Sequence, residues 1–341
     1  MLGCAVGDAI GLPYEAITKR RGVRMLGEPD RHRFLFGRGM VSDDTEHTWM
    51  VGQALCESPT DPEAFARAFA RRLRWWLLSG PAGIGSATLR ATIRLWLGYS
   101  PSRSGVFSAG NGPAMRSAVL GAAIDDIPSL RRFVLASTRI THTDPKAFEG
   151  AFAVALAAWC SRRGIVDVAG FFRQFRDAAS DVTSSEFTEL LGQVEHGLAS
   201  QLSVEEFAIQ LGCERGVSGY IYRTVPVVLF AWLRHHEDFR RVVGETVRCG
   251  GDTDTTAAIA GAIVGSGVGP AGLPQDWVDG LWEWPRTVSW TKQLAEAVVL
   301  ATASGLPVRP PRVLPLIGLV RNAVFLTVVL AYIFRRLLPP Y

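Results

Sequence analysis

Gly250-Gly251-Asp252-Thr253-Asp254-Thr255-Thr256-Ala257-Ala258-Ile259-Ala260-Gly261-Ala262 sets a glycine turn, alternating acids and hydroxyls, and a run of small apolar residues side by side. Ser, Thr and Asp favour helix N-caps, and acids stabilise the positive end of a helix. The small residues that follow let such a helix pack closely in a core and hold its first turn rigidly. Ser42-Asp43-Asp44-Thr45-Glu46-His47-Thr48, ahead of the apolar-periodic Trp49 to Leu55, repeats the arrangement.

Capping alone accounts for either cluster taken singly. The two together concentrate more negative charge than capping requires, because like carboxylates close together raise each other's pKa unless a cation compensates. Carboxylate and hydroxyl oxygens are hard ligands that suit magnesium, manganese or calcium, and no Cys or His set nearby favours zinc. Two ions fit if the clusters meet in space.

Apolar residues recur at helical spacing over 48–57, 63–78, 114–124, 146–161, 222–234 and 255–266, whereas period-two strands are hard to find. The run from Val225 to Phe230 sits inside a longer helical window, so the chain reads as all-α. Glycine, proline and serine mark loops at 79–86, 99–113 and 267–276, and the stretch Pro307 to Pro315 marks the main boundary. This divides the chain into a compact helical domain over 1–302 and, over 303–341, a proline-rich linker with a basic, hydrophobic C-terminal helix.

With 341 residues, 48% hydrophobic and 20% charged, the chain is ample for a large core and unlike a disordered polymer. Five cysteines stand singly with no CxxC spacing, which speaks against a zinc site or disulfide framework and suits a reducing, cytoplasmic setting. No secretory signal is legible after Met1. Of the net charge of +4, five arginines in 303–341 (Arg309, Arg312, Arg321, Arg335, Arg336) contribute +5 without any acid, leaving the rest at −1. That excludes a broadly basic nucleic-acid surface on the body of the protein. The apolar run Ala323 to Phe334 is short of the about 20 residues a membrane span needs. It reads as a helix docked on the domain or a partner, with an interfacial, membrane-peripheral helix as the alternative.

Three further motifs complete the pattern. Gly7-Asp8-Ala9-Ile10-Gly11-Leu12-Pro13-Tyr14-Glu15 ends in an acid; taken alone, Asp8 reads as a cap and Glu15 as a solvated helix-end group. Gly110-Asn111-Gly112-Pro113-Ala114-Met115-Arg116 is a turn whose amides could hold phosphate oxygens. Thr141-His142-Thr143-Asp144-Pro145 carries a lone histidine, more often structural than a ligand.

In this order, over about residues 3 to 270, the five motifs resemble the ADP-ribosylglycohydrolase family. The resemblance implies a compact orthogonal all-α fold with two magnesium or manganese ions in a cleft. Ser42, Asp43 and Asp44 would hold one ion with Asp254; Asp252, Asp254 and Thr255 would hold the other. Glu15, or a metal-bound aspartate such as Asp43, would take a proton from the attacking water. Asn111 and Gly112 would cradle phosphate and His142 would line the ADP-ribose pocket. The implied reaction is metal-dependent hydrolysis of the glycosidic bond from ADP-ribose to a protein side chain, a nucleic acid or a small metabolite. A binuclear metal phosphohydrolase and a non-catalytic relative that binds ADP-ribose are the competing readings. Phe34, Phe36, Tyr99 and Phe107, in loops at 18–41 and 99–110, could stack on a base or simply pack.

Overall fold

The computed structural model describes residues 1–34, 36–179, 181 and 183–336. It is about 68% helical; among the described residues there is no strand, only isolated bridges such as Val217 to Gly251. The helices run α1 Leu2–Gly11, α2 Lys19–Leu26, α3 Asp43–Glu57, α4 Pro62–Leu78, α5 Ser86–Trp96, α6 Ala118–Ala123, α7 Ile127–Arg139, α8 Pro145–Arg162 and α9 Val168–Ala179. There follow α10 Ser185–Ala199, α11 Val204–Gln210, α12 Ile221–His235, α13 Phe239–Arg248, α14 Thr253–Val268, α15 Gln275–Gly280, α16 Val288–Ser304 and α17 Pro315–Arg336.

Local chemistry sets many of these boundaries. Ser42, Asp61, Asp126, Asp144, Ser184, Asp238 and Thr287 each stand at an N-cap and accept a hydrogen bond from a first-turn amide. Proline occupies the first turn of α4, α7 and α8, where its missing N–H costs nothing. Val225 to Phe230 lies within α12, which accommodates Pro226.

The centre of the molecule is the pair α1 and α14. Gly3, Gly7 and Gly11 form one stripe of α1; a Cβ on each would lie 2.2, 2.1 and 2.2 Å from the carbonyl oxygens of Gly261, Ala257 and Thr253 of α14. Only glycine permits that approach, and it brings the ends of both helices together beneath the site. Around this pair pack α3, α8, α12 and α13, so α14 is buried from Thr253 to Val264. On α3, Trp49 meets Trp290 of α16 edge-on with centroids 5.6 Å apart.

Two sequence expectations change. The segment read as the 18–41 loop contains α2, an eight-residue, strongly basic helix with only Val23, Met25 and Leu26 as large apolar residues and an unbonded Thr18 cap, too short and polar for an apolar stripe to stand out. The C-terminal apolar run is part of a 22-residue helix, because Arg321 and Asn322 fold into α17 by burying their polar heads against the domain. Arg321 pairs with Glu283 at 2.7 and 2.8 Å and donates to the Val41 carbonyl at 2.6 Å, while Asn322 donates to the Ser79 carbonyl at 3.0 Å. Phe325 packs beside Leu12, Phe34 and Met40. The tail beyond Arg336, positions 337–341 of the expected appendage, lies outside the described residues.

A candidate acidic active site between two helix starts

The Gly250–Gly251 turn aims the first cluster. Both glycines have positive φ, 72° and 86°, and a Cβ on Gly251 would sit 2.1 Å from the Val217 carbonyl oxygen. That carbonyl accepts from the Asp252 amide at 2.8 Å, fixing Asp252 at the N-cap of α14 with Asp254 and Thr255 in its first turn.

The second cluster opens α3. The Ser42 hydroxyl accepts from the Asp44 amide at 3.3 Å and donates to Asp44 Oδ2 at 2.9 Å. The Thr255 hydroxyl donates to the same Oδ2 at 3.2 Å, so one carboxylate oxygen joins the two helix starts. Asp44 Oδ1 and Asp254 Oδ1 are buried without a hydrogen-bond partner.

Asp8 corrects the reading of a local cap. It lies inside α1, fully buried, and accepts from the Ser42 amide at 3.0 Å, the Thr45 amide at 3.2 Å and the Thr45 hydroxyl at 2.5 Å. It therefore caps α3 from another helix and fixes the paired aspartates from behind. Burial pushes its pKa up to about 7 despite these donors. Glu15 likewise is no freely solvated helix end. It follows a short 3-10 turn, reaches solvent, lines the cavity, and is held above the ordinary carboxylate range by burial and by Asp252, with Arg336 opposing.

Charge is crowded here. Asp43, Asp44 and Asp254 are each raised well above the usual range, first by burial and then by neighbouring acids: Asp8 acts on Asp43, Asp43 on Asp44, and Glu15 on Asp254. All three, with Glu15, Asp252 and Thr255, line a cavity of about 310 Å³. Ser42 does not line the cavity; its hydroxyl reaches Asp44, which does. The larger groove of about 700 Å³ beside Ile127, Pro128 and Arg131 has no such cluster. Among the described residues, no three His, Cys, Asp or Glu side chains are gathered as a ready metal-holding group.

The opposite wall contains Asn111, Gly112 and His142. The Asn111 carboxamide donates to Asp252 Oδ2 at 2.7 Å and to the Thr224 hydroxyl at 3.0 Å, and its backbone amide donates to the Gly219 carbonyl at 2.9 Å. Its donors thus orient Asp252 instead of standing free for phosphate. His142 bonds the Thr141 hydroxyl at 2.8 Å through Nδ1. Burial, aided by Arg116, lowers its pKa to about 3, so it presents a neutral imidazole. Buried Arg116 ties this wall together, donating to the Gly112 carbonyl at 3.1 Å and the Thr141 hydroxyl at 2.7 Å.

Sequence reasoning missed Gly83, Gly85, Ser86, Thr88 and Gly219, which also line the cavity; tertiary packing brings them there, and their residue types carry no chemical signature. The four aromatics divide. Phe34 is buried 4.7 Å from the Tyr332 ring, while Phe36, Tyr99 and Phe107 are exposed and none of the four lines the cavity.

The family model for ADP-ribosylglycohydrolase matches residues 1–306, a longer span than the motifs alone indicated. This chain belongs to the ADP-ribosylglycohydrolase family. It is 31% identical over 293 residues to an uncharacterised protein of Archaeoglobus fulgidus, covering 82% of this chain and 90% of the relative. It is 29% identical over 296 residues to the ADP-ribosyl-[dinitrogen reductase] glycohydrolase of Rhodospirillum rubrum, covering 82% and 88%. Against the mouse ADP-ribosylhydrolase ARH3 it is 27% identical over 318 residues, covering 81% and 85%. A solved structure described as an ADP-ribosylglycohydrolase-related protein complex superposes with a TM-score of 0.61 at 24% identity, covering 88% of this chain and 95% of that one, and shares the fold. The chain is thus an enzyme that hydrolyses glycosidic linkages of ADP-ribose.

Proposed function

We propose that this enzyme releases ADP-ribose from modified protein side chains at a centre holding two magnesium or manganese ions. Ser42, Asp43, Asp44, Asp252, Asp254 and Thr255 would hold them. The observation that carries this reading is the pair of buried, unpartnered oxygens, Asp44 Oδ1 and Asp254 Oδ1, among acids that burial and mutual repulsion drive toward protonation. Hard divalent ions relieve that repulsion, and their oxygen preference suits both the carboxylates and the two hydroxyls. When bound, they would supply positive charge that orients ribose hydroxyls and a water.

Cleavage at the anomeric carbon passes through an oxocarbenium-like state, so the bound ions would serve by gripping the ribose hydroxyls and positioning the water and not by stabilising the positive charge that develops there. Glu15 is the proton acceptor for the attacking water, because it reaches both the cavity and solvent and can return the proton to bulk. Asp43 lies deeper and holds a ligand position instead. Asn111 fixes the rotamer of Asp252, and neutral His142 offers Nε2 toward the sugar or phosphate without adding charge. The name of the Rhodospirillum rubrum relative, a glycohydrolase of ADP-ribosyl-[dinitrogen reductase], supports a modified protein as substrate.

The test compares Glu15→Gln with the wild type. It should lower kcat for ADP-ribose release by about 10²–10⁴-fold while calorimetry still detects ADP-ribose binding. Undiminished release would remove Glu15 from its role. Phosphate release from ADP-ribose or nucleotide esters, with no glycosidic cleavage, would instead establish a phosphohydrolase.

A further inference from the structure

Helix α17 lies beyond the residue 306 limit of the family match and turns two unlike faces outward and inward. Its inner face holds Arg321 and Asn322 in the buried bonds already described. Only 22% of Ile317–Arg336 is buried, although the segment is long and apolar enough to cross a membrane by length and composition. Outward stand Leu319, Val320, Val324, Leu330 and Phe334, the last 65% exposed. Such a continuous apolar stripe marks a contact surface.

Neighbouring loops that contact α17 expose further aromatics. Phe36, wholly exposed with φ of 58°, tips the turn whose Phe34 packs on Tyr332 of α17. Trp282 and Trp284, each more than half exposed, flank Glu283, the partner of Arg321. The rim is basic. Arg309 and Arg312 are exposed ahead of α17 and Arg335 at its end, and no acid occurs from 303 to 341. The basic helix α2, with exposed Arg20, is fastened to that end by a hydrogen bond from Arg21 to the Arg336 carbonyl.

From this arrangement we infer that the face built by α17, the Phe36 turn and Trp282 and Trp284 docks on an anionic lipid bilayer, lying in the headgroup layer. An apolar stripe with aromatic residues at its edge and arginines around it matches that interface. A crossing helix would strip Arg321 from Glu283 and leave a buried charge unpaired. A second copy would set one acid-free basic rim against another. Arg336 also donates to the Glu15 and Pro13 carbonyls at 3.0 Å, which places the lipid-facing helix beside the mouth of the acidic cavity.

Full-length protein is sedimented with vesicles of phosphatidylcholine alone and of phosphatidylcholine mixed with phosphatidylserine, at low and high salt. The expected result is partition onto the mixed vesicles, weakened by salt, and little onto phosphatidylcholine. Arg20→Ala should weaken it about fivefold. The double variant Val320→Glu/Leu330→Glu should abolish it while preserving helicity and release of ADP-ribose from a soluble substrate. Absence of binding to both vesicle types, or equal salt-independent binding to both, overturns the inference. So does resistance to alkaline carbonate extraction, which makes α17 a span, or a concentration-dependent dimer lost in the double variant, which assigns the face to a second copy.

Discussion

Asp44 spends one oxygen on Ser42 and Thr255 and leaves the other buried and unbonded, while Asp252 receives the Asn111 carboxamide. The two situations make different predictions. If Asp252 holds a metal ion as proposed, Asn111 is the group that orients this ligand, and removing such a group typically lowers metal affinity or activity about 10–100-fold. Asn111→Ala should therefore weaken magnesium binding by that order in calorimetry, with the circular dichroism spectrum unchanged; unaltered affinity would show that Asp252 needs no orientation. At this scale the sequence displayed the acids but not their partners. Asp43, Asp44, Asp252 and Asp254 stood out because their charge exceeded what two helix caps use. Asp8 did not, because an acid in a glycine-rich stretch reads as a local cap, and only the fold brings it to the amides of Ser42 and Thr45.

Between elements, the decisive contact is α1 on α14. Gly7→Ala would place a Cβ 2.1 Å from the Ala257 carbonyl oxygen and force apart the two helices that carry the site. Overpacking of this kind costs about 1–3 kcal/mol, so denaturant unfolding should show a loss of at least that order, with activity falling in parallel. Gly192 in α10 is the control. A Cβ there meets nothing within 4 Å, and Gly192→Ala should stabilise the protein by about 0.5–1 kcal/mol. Equal effects from both would contradict the close-packing account. Five of the long helices, α3, α4, α8, α12 and α14, were legible from apolar residues at helical spacing, and in α3, α4 and α8 a side-chain cap agrees with it, whereas α7, α10 and α16 were not read although each is capped. The basic α2 was not read either, since it is eight residues long with only three large apolar residues, and it rests beside Tyr14.

For the whole molecule, the crowded acids link stability to pH and to cations. Asp43, Asp44 and Asp254 have folded pKa values raised above their unfolded ones, as does Asp8 at about 7. Such groups favour folding below the ordinary carboxylate range and withdraw that support as pH rises through the folded values. Metal-free protein should thus lose thermal stability from mild acid toward pH 7, and magnesium should restore it, by more at neutral pH than in acid. Differential scanning calorimetry across that range reads both effects; a magnesium increment that does not grow with pH would mean that the carboxylates are not the ligands.

These carboxylates are proposed to hold divalent ions for cleavage of an ADP-ribosyl bond. The most direct measurement is release of free ADP-ribose by EDTA-stripped enzyme from arginine-linked and serine-linked ADP-ribosyl protein, with DNA-linked and O-acetyl-ADP-ribose beside them, before and after adding magnesium or manganese. The expected result is no release without metal and restored release from a modified protein with it, lost again in Asp254→Ala. Release that persists in EDTA, or that survives Asp254→Ala, would contradict it.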